Sequence, residues 1–169
     1  MNCIIFIVLT NPCPCGYFPD RNRCRCTPYE IHQYISHLSG PILNRIDLQV
    51  RLKETEFSDL QKPGNRENGE SSAGMRNRVM EARSRQDFRY RDMGIRFNAQ
   101  LTAGNIRSFC KLGRKEEQVL EQIYTSMKLG ARTCHKLLKV ARTIADLAGS
   151  EKVGKEDLLE AACYCQGLE

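Results

Sequence analysis

The chain has 169 residues, with 26 Lys and Arg against 20 Asp and Glu, for a formal net charge of +6. At roughly 100–200 residues per domain that allows one ordinary domain or two small ones. With 41% hydrophobic and 27% charged residues, a wholly disordered chain is excluded. The longest apolar run, Ile4–Leu9, falls far short of the roughly 20 residues a membrane span needs. No basic start followed by a small-residue cleavage site marks a secretory signal.

Residues Ile4–Leu9 (IIFIVL) read as a strand buried on both faces, as in a parallel sheet covered by helices. Asn11 follows at its carboxyl end, the edge where open α/β sheets hold ligands. A loop rich in Cys, Pro, Gly and Arg then runs through Cys26. Thr27-Pro28-Tyr29-Glu30 predicts a helix start, with an N-cap hydroxyl, Pro at the first helical position and a carboxylate three residues on. Ile31, Tyr34, Ile35 and Leu38 place one apolar stripe on that helix, and Gly40-Pro41 end it. Ile46, Leu48, Val50 and Leu52 alternate with polar residues, predicting a second strand with one wet face.

From about Phe57 to Gly74 periodicity gives way to Lys, Pro, Gly, Asn, Glu and Ser, a linker composition. The remainder reads as helical: an Arg-rich helix from Met75 to about Asp92, a short one capped by Thr102 through Leu112, then Arg114–Leu129, Ala131–Ala148 and about Lys155 to Cys165. Gly130 and Gly149 are expected as left-handed C-terminal caps. The expected fold is thus an α/β fragment of two strands and a helix over residues 1–56, a linker over 57–74, and an all-α helical bundle over 75–169.

Nine cysteines are an odd number, which argues against a secreted disulfide framework. Cys13, Cys15, Cys24 and Cys26 lie within fourteen residues, whereas Cys3, Cys110, Cys134, Cys163 and Cys165 are scattered along apolar segments. That distribution suits a reducing cytoplasm, with one metal cluster and several buried small hydrophobes. The C-x-C-x8-C-x-C spacing can close a tetrahedral shell around a borderline-soft cation, zinc being the common occupant. In an extended strand i and i+2 cysteines face opposite ways, so Pro14 and a turn at Gly16 are needed to bring them together. His32 is a substitute ligand, and a metal-free, reduced surface cluster is the alternative. Arg21, Arg23 and Arg25 favour thiolate.

Taken singly, Asn11 reads as a turn cap and Arg45 as a surface arginine or a charge placed against a neighbour's phosphates. Arg132 stands at the start of a bundle helix, where the dipole favours anions and an arginine can reach a nucleotide phosphate. On the Arg-rich helix, Arg78, Arg85, Arg89 and Arg96 either track a phosphate backbone, with Phe88 and Tyr90 interleaved, or form a solvated face. The sequence contains no G-x-x-x-x-G-K-[ST] phosphate loop, and His32, His37 and His135 form no recognisable catalytic set.

The run from NPCPCG through LNRIDLQVRL, then GESSAGMRNRVMEARSRQ and RTCHKLLKVARTIADLAG, resembles the C-terminal part of Mg-chelatase-like AAA+ ATPases. These are bacterial competence-type proteins related to magnesium chelatase and to the MCM helicases. The resemblance covers nearly the whole chain. It implies the sensor-1 end of an AAA+ core followed by a helical lid, with the Walker elements upstream of Met1. Asn11 would then be the sensor-1 residue near the γ-phosphate, Arg45 the finger acting in trans, and Arg132 sensor 2 in the lid. It further implies ATP with Mg as the nucleotide, a hexameric ring, and ATP-driven remodelling of DNA, with no turnover by this chain alone. Two alternatives stand beside it: a stand-alone zinc-stapled DNA-binding module, and a magnesium chelatase subunit proper. The cysteine loop speaks against the latter, since chlorophyll-pathway subunits typically lack it.

Overall fold

The computed structural model describes residues 5–37, 45–52, 57 and 70–165. The chain divides into two compact units, Met1–Ile46 and Asp47–Gly167. No helix among the described residues is long and apolar enough to cross a membrane.

Among its described residues the first unit holds one helix, α1 (Pro28–Ser36). Its start follows the expected reciprocal cap. The Glu30 amide donates to Thr27 Oγ1 at 3.2 Å, and the Thr27 amide donates to Glu30 Oε2 at 2.7 Å. Two orphan donors of the first turn are thereby satisfied. Ile31 is buried and Tyr34 and Ile35 half-buried on one face, while Leu38, Gly40 and Pro41 lie outside the described residues. Among the described residues the core of this unit is Cys13, Cys24 and Ile31, with Phe18, Cys26 and Ile35 packed against them.

Neither expected strand forms among the described residues, which are helical or irregular throughout. The α/β expectation is therefore corrected: all regular structure among the described residues is helical. Ile5, Phe6, Ile7 and Leu9 are each more than three-quarters exposed, and Leu48, Val50 and Leu52 are exposed as well. The physical reason is that an apolar, β-branched run encodes readiness to be buried, whereas a strand exists only through backbone hydrogen bonds to a neighbouring strand. Among the described residues neither segment has such a neighbour. The Gln49 amide instead donates to the Tyr164 carbonyl at 3.0 Å, at the end of the last helix.

The second unit is a helical bundle of α2 (Ser72–Tyr90), a 3₁₀ turn (Asn98–Gln100), α3 (Ile106–Phe109), α4 (Arg114–Ser126), α5 (Ala131–Leu147) and α6 (Lys155–Cys165). The central helix is α5, which packs against α2, α3, α6 and the 3₁₀ turn, while α6 also meets α4. Leu137, Leu138, Ala141 and Ala145 recur at helical spacing and are buried. Leu158, Ala161, Ala162 and Cys165 of α6 join them, with Ile123, Tyr90, Leu101 and Ile106 from the other elements. Only the C-terminal half of α2 is buried, at Ala82, Gln86 and Tyr90, and Tyr90 joins this core. Residues 72–81 are exposed apart from half-buried Gly74.

The cap at Gly149 forms as expected: its φ is +78°, and Ser150 and Gly149 donate back to the Ala145 and Asp146 carbonyls at 2.8 and 3.2 Å. Gly130 does not play that part. Its φ is −81° and it is the N-cap of α5. The left-handed position closing α4 is Lys128, at φ +48°, with Leu129 and Lys128 donating to the Tyr124 and Thr125 carbonyls at 3.0 and 3.3 Å.

A buried polar network runs through the bundle. Asp146 and Arg142 are each 1% exposed. Arg142 Nε donates to Asp146 Oδ1 at 3.2 Å, and its two terminal nitrogens donate to the Glu151 and Ser150 carbonyls at 2.8 and 2.6 Å. Arg89 of α2 grips both Asp146 oxygens, and Asn98 Nδ2 donates to Asp146 Oδ2 at 2.9 Å. The Tyr90 hydroxyl donates to Asn98 Oδ1 at 2.7 Å. Burial pushes the Asp146 carboxyl up, but hydrogen bonds from Arg89 and Asn98 and the Arg142 charge outweigh it and hold the carboxyl below its ordinary value.

Removing this carboxylate leaves a buried guanidinium without its counter-charge. Asp146→Ala is expected to cost about 3–5 kcal/mol in urea unfolding followed by circular dichroism. Because the folded-state pKa is depressed, the stabilisation is complete above about pH 4 and is lost as pH falls through the lower folded value. The acid limb of the stability profile is therefore shallower in Asp146→Asn than in the parent.

Candidate functional site

The loop from Cys13 to Cys26 is built from two turns. In the first, the Gly16 amide donates to the Cys13 carbonyl at 3.0 Å, and Gly16 adopts φ +83°, which glycine reaches without steric cost. This turn places the i and i+2 thiols on the same side. In the second, the Asp20 side chain accepts from the Asn22 amide at 2.9 Å, and the Cys24 amide donates to the Asp20 carbonyl at 2.7 Å. That returns the chain so that Cys24 faces Cys13. Directly after Cys26 the capped start of α1 fixes the exit.

The four Sγ atoms of Cys13, Cys15, Cys24 and Cys26 all lie within 4.8 Å of one another. Cys13 to Cys15 is 3.3 Å, Cys15 to Cys24 is 3.6 Å and Cys13 to Cys24 is 3.8 Å. Cys13 and Cys24 are buried, Cys26 is half-buried and Cys15 opens to solvent. His32 is exposed and is not among the gathered ligand atoms.

The thiols do not share one acidity. The Tyr17 amide is the largest influence on Cys15 and brings it down to about 6. Burial raises Cys13, but the Phe18 amide, donating to its sulfur at 3.4 Å, helps to bring it below the ordinary value. Burial raises Cys24. The Cys15 amide lowers Cys26, yet burial and the adjacent Cys15 and Cys13 sulfurs outweigh it, and Cys26 is pushed up to about 12. Backbone dipoles thus favour negative sulfur while mutual repulsion limits how many can ionise together. A divalent cation would remove that limit.

The other expected site residues fall as follows. Asn11 is exposed beside the first turn, its Cγ 3.8 Å from where a Cβ on Gly16 would stand. Arg45 is exposed in the first unit. Arg132 is exposed in the first turn of α5. The phosphate-tracking reading of the Arg-rich helix loses most of its members. Arg89 is committed to Asp146, Arg85 donates to the Gly149 carbonyl at 3.1 Å, and Arg78 pairs with Glu70 at 2.7 Å. Sequence reasoning missed the buried charges of α5. The signal was there: Asp146 sits next to Ala145 on an apolar stripe, with Arg142 four residues earlier.

The family described as Magnesium chelatase, subunit ChlI C-terminal matches residues 69–165, more than half of the chain, and Magnesium chelatase, subunit ChlI matches residues 2–60. The chain belongs to the magnesium chelatase ChlI family. The resemblance carried by NPCPCG and VARTIADLAG is thereby shown. Competence protein ComM of Haemophilus influenzae is 35% identical over 158 residues, 94% of this chain and 30% of that protein. YifB of Escherichia coli is 38% identical over 161 residues, again 94% of this chain and 30% of that protein. An uncharacterized protein of Mycobacterium bovis is 31% identical over 163 residues, 95% of this chain and 31% of that protein. The chain spans about three tenths of the length of these curated relatives.

The turn at Gly16 can be tested directly. A side chain at φ +83° costs about 1–2 kcal/mol, so Gly16→Ala is expected to loosen the loop and speed modification of the buried Cys13 thiol by a disulfide reagent. Gly16→Asn, which tolerates the left-handed conformation better, lies between the two.

Proposed function

We propose that this chain is the C-terminal part of a Mg-chelatase-like AAA+ ATPase and contributes three phosphate-facing residues to ATP-driven remodelling of DNA. Asn11 acts as the sensor at the γ-phosphate, Arg45 as the finger reaching a neighbouring subunit's nucleotide in a hexameric ring, and Arg132 as the sensor of the helical lid. Nucleotide with Mg is the substrate of the assembled protein. The observation that carries this reading is similarity along 94% of the chain to a relative named a competence protein.

Local chemistry supports each role. The helix α5 starts at Ala131 behind Gly130, which offers no side chain to accept from the first amides. A 17-residue helix with unsatisfied N–H groups at this end favours an anion, and Arg132, one residue into it, adds a formal charge. Arg45 carries the planar fork that matches phosphate oxygens two at a time. Asn11 brings a neutral amide, able to donate to an oxygen or hold a water without altering the charge of the site.

The test uses the protein with its nucleotide-binding segment present. Arg45→Ala is expected to lower kcat for ATP by about 10³–10⁵ while nucleotide affinity stays within a few fold. Turnover equal to that of the parent removes Arg45 from the role. Stimulation of the parent's ATPase by branched DNA, and not by porphyrin, supports DNA as the object remodelled; the reverse would favour chelatase chemistry.

A further inference from the structure

We propose that Cys13, Cys15, Cys24 and Cys26 bind a single zinc ion, and that this ion fastens the two turns of the loop that carries them. The proposal is independent of the nucleotide roles above.

Four thiolates around one zinc at about 2.3 Å, arranged tetrahedrally, stand about 3.8 Å apart. The distances of 3.3, 3.6 and 3.8 Å, with all four sulfurs inside 4.8 Å, bracket that spacing. One ion fits. A multi-iron cluster, whose cysteines ligate different irons, spreads its sulfurs more widely. The loop also supplies the outer shell that such sites use to orient and stabilise their ligands, since the Phe18 amide points at the Cys13 sulfur. Four protein ligands leave no open position, so the ion is structural and not catalytic. Cys15, the exposed ligand, gives the ion its way in.

The packing supplies an argument of its own. Among the described residues of the first unit, the buried apolar set is Cys13, Cys24 and Ile31. Two of those three are ligands. Apolar packing around the loop from Cys13 to Cys26 is slight, and a metal held by four thiolates would fasten its two turns together. A zinc tetrathiolate carries two negative charges, and the sequence places Arg23 and Arg25 on either side of Cys24 and Arg21 three residues before it. Arg21 donates to the Cys26 carbonyl at 3.4 Å, and Arg23 stands 4.1 Å from the Tyr17 ring centre.

The experiment uses the full chain, purified under reducing conditions without chelator. Elemental analysis is expected to find about one zinc per chain. After removal of zinc, added Co²⁺ should produce thiolate-to-cobalt charge-transfer bands with the intense ligand-field bands of tetrahedral coordination, and zinc should displace it. Cys15→Ser is expected to lose stoichiometric zinc, while Cys163→Ser, on the exposed side of α6, retains it. Hydrogen exchange should show amides of the loop and α1 losing protection on metal removal while those of α5 keep theirs. The proposal is overturned if the reduced chain carries no zinc and takes up neither Zn²⁺ nor Co²⁺. It is equally overturned if bound zinc persists in both Cys15→Ser and Cys24→Ser. Should those variants fail to fold, the cobalt titration of the parent chain decides alone.

Discussion

The helical bundle depends on one carboxylate. Asp146 is taken out of water together with Arg142, and burying either alone would cost several kcal/mol. Its two oxygens therefore collect partners from three elements: Arg89 from α2, Asn98 from the 3₁₀ turn and Arg142 from α5 itself. Arg142 extends the tie to the carbonyls of Ser150 and Glu151. The orientation of α5 is fixed by this arrangement. Arg132 lies fourteen residues earlier on the same rigid helix, about 21 Å along its axis at 1.5 Å per residue. Whatever Arg132 touches is thus registered against a charge cluster at the helix's other end.

The two units solve the problem of cohesion differently. The bundle uses periodic Leu, Ile and Ala, with α5 at the centre, and its polar network is satisfied throughout. Among the described residues of the first unit, the apolar run Ile5–Leu9 is exposed and the buried set is small. Two of its three buried side chains are cysteines whose sulfurs face one another.

Helices were legible because they carry their own instructions. The start of α1 was written in Thr27-Pro28-Tyr29-Glu30, and α6 lies where a helix from about Lys155 to Cys165 was expected. The end of α5 was written in Gly149, and the gathering of four thiols in the Cys-Pro-Cys-Gly turn. Strands are different: IIFIVL states a preference for burial but not the partner that makes a ladder, and no partner stands beside it among the described residues. Arginine roles were hidden for a related reason. Arg78 and Arg89 look alike in sequence, yet one pairs at the surface with Glu70 and the other reaches a carboxylate 57 positions away. Lys128 took the left-handed position expected of Gly130, because α4 ends at Ser126, three residues short of the expected Leu129.

The uncovered half of α2 carries a consequence for how the molecule gives way. Over residues 72–81 the side chains are exposed, so those turns rely on backbone hydrogen bonding, the Ser71 cap and the Glu70–Arg78 pair. Such a stretch obeys helix–coil statistics, fraying and rewinding within about a microsecond, and its melting need not wait for the bundle to open. The helix is thus two materials in one: a rigid rod from Ala82 onward, and ahead of it a yielding sleeve whose length follows temperature and salt.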